Sequence, residues 1–216
     1  DELEPEKLAK SIALMQLKHC VITSVDRDDL SDKGASHWAK TITAVRQYNP
    51  DIIIEILIPD YENELLDIVL KAKPDIVAHN LETVRRITPS VRSKATYERS
   101  LNVVRQIAQA GFISKTGIMV GLGESTEEVI ELLEETRNVG CQMITIGQYL
   151  QPTKQNTPVI AYIHPDTFDL YKNRAVVLGF DSVESGPLVR SSYMAERSFL
   201  NSLNSLSRNS ESSEQR

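Results

Sequence analysis

Two alternating periodicities constrain this chain more than any other feature. Short apolar runs rich in Val and Ile are each followed by a segment with helical spacing. Strands are predicted over His19–Ser24, Ile52–Ile58, Asp75–Asn80, Ile113–Gly121, Met143–Gln148 and Asp181–Ser185. Several are apolar almost throughout, as strands covered on both faces of a parallel sheet are. Leu8, Ile12 and Met15 fall at i, i+4 and i+7 behind Pro5. Trp38, Ile42 and Val45 repeat that spacing until Asn49-Pro50 stops it. Leu65, Ile68 and Val69 mark a short helix before Pro74, and Tyr97, Leu101, Val104 and Ala108 a longer one that Gly111 ends. Ser125-Thr126-Glu127-Glu128 is a capping box for a helix carrying Val129, Leu132, Leu133 and Thr136, ended by Gly140. Phe168, Tyr171 and Leu178 give the last apolar stripe, closed by Gly179.

Alternating helices and strands imply an α/β fold with a parallel sheet and right-handed crossovers. A complete eight-unit barrel takes about 250 residues. With 216 residues and six strands, a partial barrel or an open doubly wound sheet is expected. The order begins on a helix where a βα protein begins on a strand, so a first strand is expected upstream of Asp1. An Asp rather than Met at position 1 agrees with a piece of a longer chain. The barrel domain is expected over 1–197. Residues 198–216, rich in Ser, Asn and Glu, read as a disordered tail.

Composition removes several functions. Twenty-four Lys and Arg against 30 Asp and Glu give a net charge of −6, and without basic clusters this argues against nucleic-acid binding. No stretch approaches the roughly eighteen apolar residues of a membrane span, and no signal peptide is visible. Two cysteines, Cys20 and Cys141, rule out a disulfide framework or an all-cysteine zinc site. The reducing cytoplasm is the expected compartment.

In parallel α/β folds ligands lie at the carboxyl ends of the strands, and those ends are polar here. They carry Thr23-Ser24 followed by Asp26-Arg27-Asp28-Asp29, then Pro59-Asp60, His79-Asn80-Leu81-Glu82-Thr83 and Gly121-Leu122-Gly123-Glu124. Gln148-Tyr149-Leu150-Gln151-Pro152 and Ser185-Gly186-Pro187, ahead of Arg190-Ser191-Ser192-Tyr193, complete the set. Each has a plain alternative. Ser24 and Asp26 either cap a turn or face a ligand, and Asp28 and Asp29 read as solvated loop charges. His79 is either a satisfied core residue or a ligand contact. Gly121-Leu122-Gly123 is an incomplete phosphate-turn pattern, and its glycines also suit a simple turn. Cys20 and Cys141 read as structural. Six polar ends on one face together favour a small-molecule site.

Five of these segments resemble, in order, the successive motifs of lipoyl synthase, a radical S-adenosylmethionine (SAM) family with a partial (β/α)6 barrel. They are Val21–Leu30, Ala78–Thr83, Gly117–Glu124, Thr145–Pro152 and Ser185–Tyr193, and the likeness runs from about Leu3 to Ala195. The resemblance implies insertion of two sulfur atoms, at C6 and C8, into an octanoyl chain held on a lysine of a carrier domain. It implies two [4Fe-4S] clusters, one binding SAM to generate a 5′-deoxyadenosyl radical and one donating sulfur. The implied partners are octanoylated lipoyl domains of 2-oxoacid dehydrogenase complexes or the glycine cleavage H protein, and iron–sulfur cluster carrier proteins. The family's C-x-x-x-C-x-x-C motif and its three further cysteines do not occur in this sequence. They are expected upstream of Asp1, and the chain alone is expected to lack both clusters and be inactive.

Residue by residue, Ser192 matches the family's serine ligand to the auxiliary cluster; a helix cap is the alternative for Ser191 or Ser192. Thr23, Ser24 and Asp26 match the segment near the methionyl end of SAM. Asn80 and Glu82 match the polar pair near ribose or substrate. Met119 and Gly121 belong to Gly117-x-Met119-x-Gly121-x-x-Glu124, the motif near adenine. Arg190 is assigned to the substrate or to steadying the terminal segment. A competing reading is a cluster-less, non-catalytic barrel paralogue that binds a nucleotide-like ligand or a carrier protein. Another is a relative of biotin synthase, against which the Arg190–Tyr193 motif speaks.

Overall fold

The computed structural model describes residues 1–92 and 94–193 together with Ala195 and Phe199. The described residues form α1 (Glu4–Met15), β1 (His19–Thr23), α2 (Ala35–Tyr48), β2 (Ile53–Leu57), α3 (Glu64–Leu70), β3 (Ile76–Ala78), α4 (Thr88–Val91), α5 (Tyr97–Gln109), β4 (Ile113–Val120), α6 (Thr126–Asn138), β5 (Met143–Gln148), α7 (Pro165–Val177) and β6 (Ser182–Gly186). All pairings are parallel and follow chain order, β1-β2-β3-β4-β5-β6. The sheet does not close, which is the partial (β/α)6 arrangement. Among the described residues, β1 pairs on one side with β2 and β6 on one side with β5.

The predicted elements stand, with two differences. The short helix α4 had no sequence signal beyond Pro89, which sits in its first turn. β3 is shorter than Asp75–Asn80 because the chain leaves the sheet after Ala78 and returns at Glu82. There the Glu82 amide donates to Gly117 O at 3.1 Å and the Met119 amide to Glu82 O at 2.8 Å. Glu82 adopts a φ of 69°, the left-handed region that non-glycine residues seldom enter.

Period-2 alternation sorts the strand side chains onto two faces. Outward-facing Cys20, Ile22, Ile54 and Ile56 pack with Trp38, Ile42 and Val45 of α2 and Leu66 and Val69 of α3. Outward-facing Ile118, Val120, Ile144 and Ile146 pack with Val104, Val129, Leu132, Leu133, Phe168 and Tyr171 of α5 to α7. Full burial of one such side chain contributes about 1.5–3 kcal/mol.

The inward face is different. Its floor is apolar: Ile76 and Met143 are buried with Phe199, and Ile53 and Ile113 pack against them. Above the floor come buried polar groups, Glu55, Lys115, Thr145 and Glu184. Of the expected tail, only Phe199 is among the described residues; the rest of 198–216 lies outside them.

The capping box is present as read. Ser125 Oγ accepts from the Glu128 amide, and the Glu128 carboxylate accepts from the Ser125 amide. Ser125→Ala is therefore expected to lower stability by about 1 kcal/mol, and Leu133→Ala, fully buried beneath the same helix, by about 2–5 kcal/mol. Denaturant unfolding of both variants checks this; equal losses would mean that α6 is held by its cap as much as by its packing.

Candidate active site at the barrel mouth

The carboxyl ends of β3 to β6 converge on a hydrogen-bonded set. Asn80 Nδ2 donates to Glu82 Oε1 at 3.2 Å and to Ser191 Oγ at 3.3 Å. The three residues are half-buried, and 111 positions separate Asn80 from Ser191. Gly117 lies beside them on β4: a Cβ there would sit 2.8 Å from both Asn80 Oδ1 and Thr145 Oγ1. The turn after β3 thus supplies the pair Asn80–Glu82, and the segment after β6 brings Ser191 to it.

Behind Asn80 lies a second polar network. The buried His79 ring contacts Ile58 O through Nδ1 at 3.1 Å, and Ser100 Oγ and Asp60 Oδ1 through Nε2 at 3.1 Å each. Arg92 donates to Ser100 Oγ at 2.5 Å, to Asp60 at 3.3 Å and to Asn80 O at 3.4 Å. Burial pushes the Asp60 carboxyl up, but His79 and Arg92 overturn that and hold it below the usual range. His79 is a core residue with its partners met, and Asp60 is spent on it. Both brace the chain that carries Asn80.

The segment after β6 folds over the mouth. Gly147, opposite Met119 in the β4–β5 register, lies directly under Val189. A Cβ at 147 would stand 2.3 Å from Val189 O, closer than any real contact, so only glycine admits the segment. Arg190 is exposed and donates to Val189 O at 2.6 Å. Ser191 O accepts from Lys115 Nζ at 2.7 Å, and Lys115 pairs with Glu55 Oε1 at 2.6 Å. Ser192 is exposed at the rim. Burial pushes the Glu55 carboxyl up, yet His19 and Lys115 together hold it below the ordinary range. The His19 Nε2 lies 3.3 Å from Glu55 Oε2, outside hydrogen-bond geometry.

The β1 candidates stand apart from this set. Thr23 and Asp26 are exposed, and Ser24 Oγ accepts from Trp38 Nε1 at 3.1 Å, tying the end of β1 to α2. Asp28 and Asp29 pair with Lys94 and Arg27 on the surface, as loop charges do. Gly121 corrects one expectation. Its turn does need glycine, with φ at 103° and a Cβ that would fall 2.3 Å from Gln148 Nε2. But the amides of Gly121 and Leu122 both donate to the Glu124 carboxylate. A phosphate would find those donors occupied, so the phosphate-turn alternative fails.

Neither cysteine serves the mouth. Cys20 faces α2, and burial pushes its thiol up to about 11; Cys141 is fully buried, and burial pushes its thiol up to about 12. Thiols so protonated are poor ligands and nucleophiles. Among the described residues no group of three or more His, Cys, Asp or Glu side chains is arranged to hold a metal ion. At the rim Ser192 offers a hydroxyl. What sequence reasoning missed is the pair Glu55–Lys115. Its signal was available: one carboxylate inside Ile52–Ile58 and one ammonium inside Ile113–Gly121, each a lone charge in a buried strand.

Comparison with known proteins agrees with this geometry. The family model of the Radical SAM superfamily matches residues 1–136. A lipoyl synthase of Bacteroides fragilis is 57% identical over 199 residues, which are 91% of this chain and 69% of that protein. A lipoyl synthase of Treponema denticola is 50% identical over 199 residues, with the same shares. Among solved structures, methylornithine synthase superimposes with a TM-score of 0.65 at 16% identity, over 87% of this chain and 63% of that one. Streptococcus suis SuiB bound to S-adenosylmethionine gives 0.59 at 11% identity, over 83% and 41%. The structural likenesses speak for the fold; the sequence identities carry the assignment, and they give no support to a cluster-less paralogue. A chain with this open parallel barrel, this polar mouth and these relatives belongs to the lipoyl synthase family of the radical SAM superfamily.

Proposed function

We propose that the barrel mouth is where this chain takes part in lipoyl synthesis, the insertion of two sulfur atoms at C6 and C8 of a protein-bound octanoyl-lysine. The hydrogen-bonded set Asn80–Glu82–Ser191 carries the reading. It joins the end of β3 to the segment after β6, at the face where parallel α/β folds bind small molecules. SAM with iron–sulfur clusters supplies the radical and the sulfur when bound.

The residues present suit SAM in their chemistry. Glu82 offers a carboxylate that accepts hydrogen bonds from ribose hydroxyls, and Asn80 orients it. Met119 and Gly121 border the mouth on β4, where an adenine ring would lie. Thr23, Ser24 and Asp26 line the opposite edge, at the end of β1, toward the methionyl group. Arg190 is exposed beside the mouth and suits an acyl-lysine peptide. Two [4Fe-4S] clusters are part of the reading, with Ser192 giving one oxygen ligand to the auxiliary cluster. Oxygen is a harder donor than thiolate and a less fitting partner for a cluster, which suits a ligand that must let go. The cysteine ligands are not among the described residues, and no step is assigned through either cluster.

The octanoyl-bearing lipoyl domains of 2-oxoacid dehydrogenases and the glycine cleavage H protein are the proposed substrates, with cluster carrier proteins as further partners. No described helix is long and apolar enough to cross a membrane. The cytoplasm is the proposed compartment, on the strength of two unpaired, protonated thiols.

In full-length enzyme carrying both clusters, Glu82→Gln should weaken SAM or substrate handling about tenfold to a hundredfold while both clusters still assemble, since a hydrogen bond to a charged group is worth about 1.5–3 kcal/mol. Titration calorimetry reads this; unchanged affinity would return Glu82 to a purely structural role in its bulge. In enzyme carrying both clusters, Ser192→Ala should stop lipoyl product while 5′-deoxyadenosine still forms. Ser191→Ala, which loses only its bond to Asn80, should cost about 1 kcal/mol of stability and little product. Product made normally by Ser192→Ala but not by Ser191→Ala would move the ligand to Ser191.

A further inference from the structure

An ion pair is buried inside this barrel. Glu55 on β2 and Lys115 on β4 are 0% and 2% exposed, and their charged atoms lie 2.6 Å apart. The strands are not neighbours, since β3 runs between them. In the β3–β4 register Lys115 stands opposite Ala78, whose single methyl leaves the long side chain a path toward β2. A buried ion pair rarely repays the cost of removing both charges from water, and apolar replacements are often as stable. Stability alone is therefore a poor account of this pair.

Its further contact supplies a better one. Lys115 Nζ also donates to the carbonyl of Ser191, 76 positions later in the chain. Ser191 is thereby gripped twice: its carbonyl from β4, and its hydroxyl from Asn80 at the end of β3. Gly147 leaves the room that Val189 needs beside it. An ammonium has three donors and no acceptor. Glu55 neutralises it and fixes its direction, so a remaining donor points at one backbone oxygen. The residues on either side of this grip, Arg190 and Ser192, are exposed.

We infer that the Glu55–Lys115 pair is a positioning device that seats the Arg190–Tyr193 turn in the barrel mouth and so fixes where the Ser192 hydroxyl is presented. It deepens the reading above and rests on it for the role of Ser192. Lys115 and Glu55 act through the Ser191 carbonyl.

Lys115→Met alone would leave Glu55 buried without its cation and is expected to unfold the barrel in part. The informative variant is the double replacement Glu55→Leu with Lys115→Met, which removes both charges at similar volume. Thermal unfolding should find it folded. Hydrogen exchange followed by mass spectrometry should then show the amides of Val189 and Tyr193, hydrogen-bonded to Gly186 O and Arg190 O, exchanging at least about tenfold faster. The amides of β2 and β4 should keep their protection. Unchanged exchange over 187–193 in the folded double variant would overturn the inference.

A second readout separates this from the role of Ser192. In cluster-loaded enzyme, the Mössbauer signature of the auxiliary cluster should change in the double variant in the same sense as in Ser192→Ala. Faster exchange with a spectrum that neither variant alters would keep the anchor and remove Ser192 as a ligand. A spectrum altered by Ser192→Ala but not by the double variant would show that the pair merely stabilises the segment, and the positioning role would fall.

Discussion

Parallel pairing is the constraint from which the rest follows. Two parallel strands cannot be joined by a tight turn, so each strand from β1 to β5 is followed by helix that returns the chain to the same end of the sheet. Every strand then delivers its last residues to one face. Polar residues from the turn after β3 meet there with Ser191, 111 positions later in the chain. The helices cover the outer face, which frees the inner face to be something other than core. That freedom is used: an apolar floor around Phe199, then buried charge, then a polar rim.

Much of this was legible from periodicity. Apolar runs of strand length alternating with helical stripes define a βα protein, and the glycines and prolines punctuate it. The exceptions have physical reasons. α4 is a single turn, too short to show a stripe. The end of β3 reads two residues too long in the sequence because His79 and Asn80 follow an apolar run, while the actual path leaves the sheet after Ala78 and re-enters it through a left-handed Glu82.

The site was legible in parts. Polarity at strand ends pointed to this face, and family motifs picked out Asn80 and Glu82, which the structure joins by a hydrogen bond. Neither could show that Asn80 reaches Ser191, because hydrogen bonds between residues 111 positions apart depend on register rather than on local pattern. Nor could they show that Ser24 accepts from Trp38, or that the Gly121 amide donates to Glu124. The buried pair Glu55–Lys115 announced itself as a charge within each of two apolar runs, and its meaning appeared only when a third group, the Ser191 carbonyl, came into contact.

The turn at Gly121 also bears on selectivity. Its amides form the kind of concavity that elsewhere collects anions, but the loop brings its own carboxylate to fill it. Nucleotide phosphates reaching this end of β4 meet spent donors and a repelling charge. A ligand whose charge is positive or balanced meets neither obstacle.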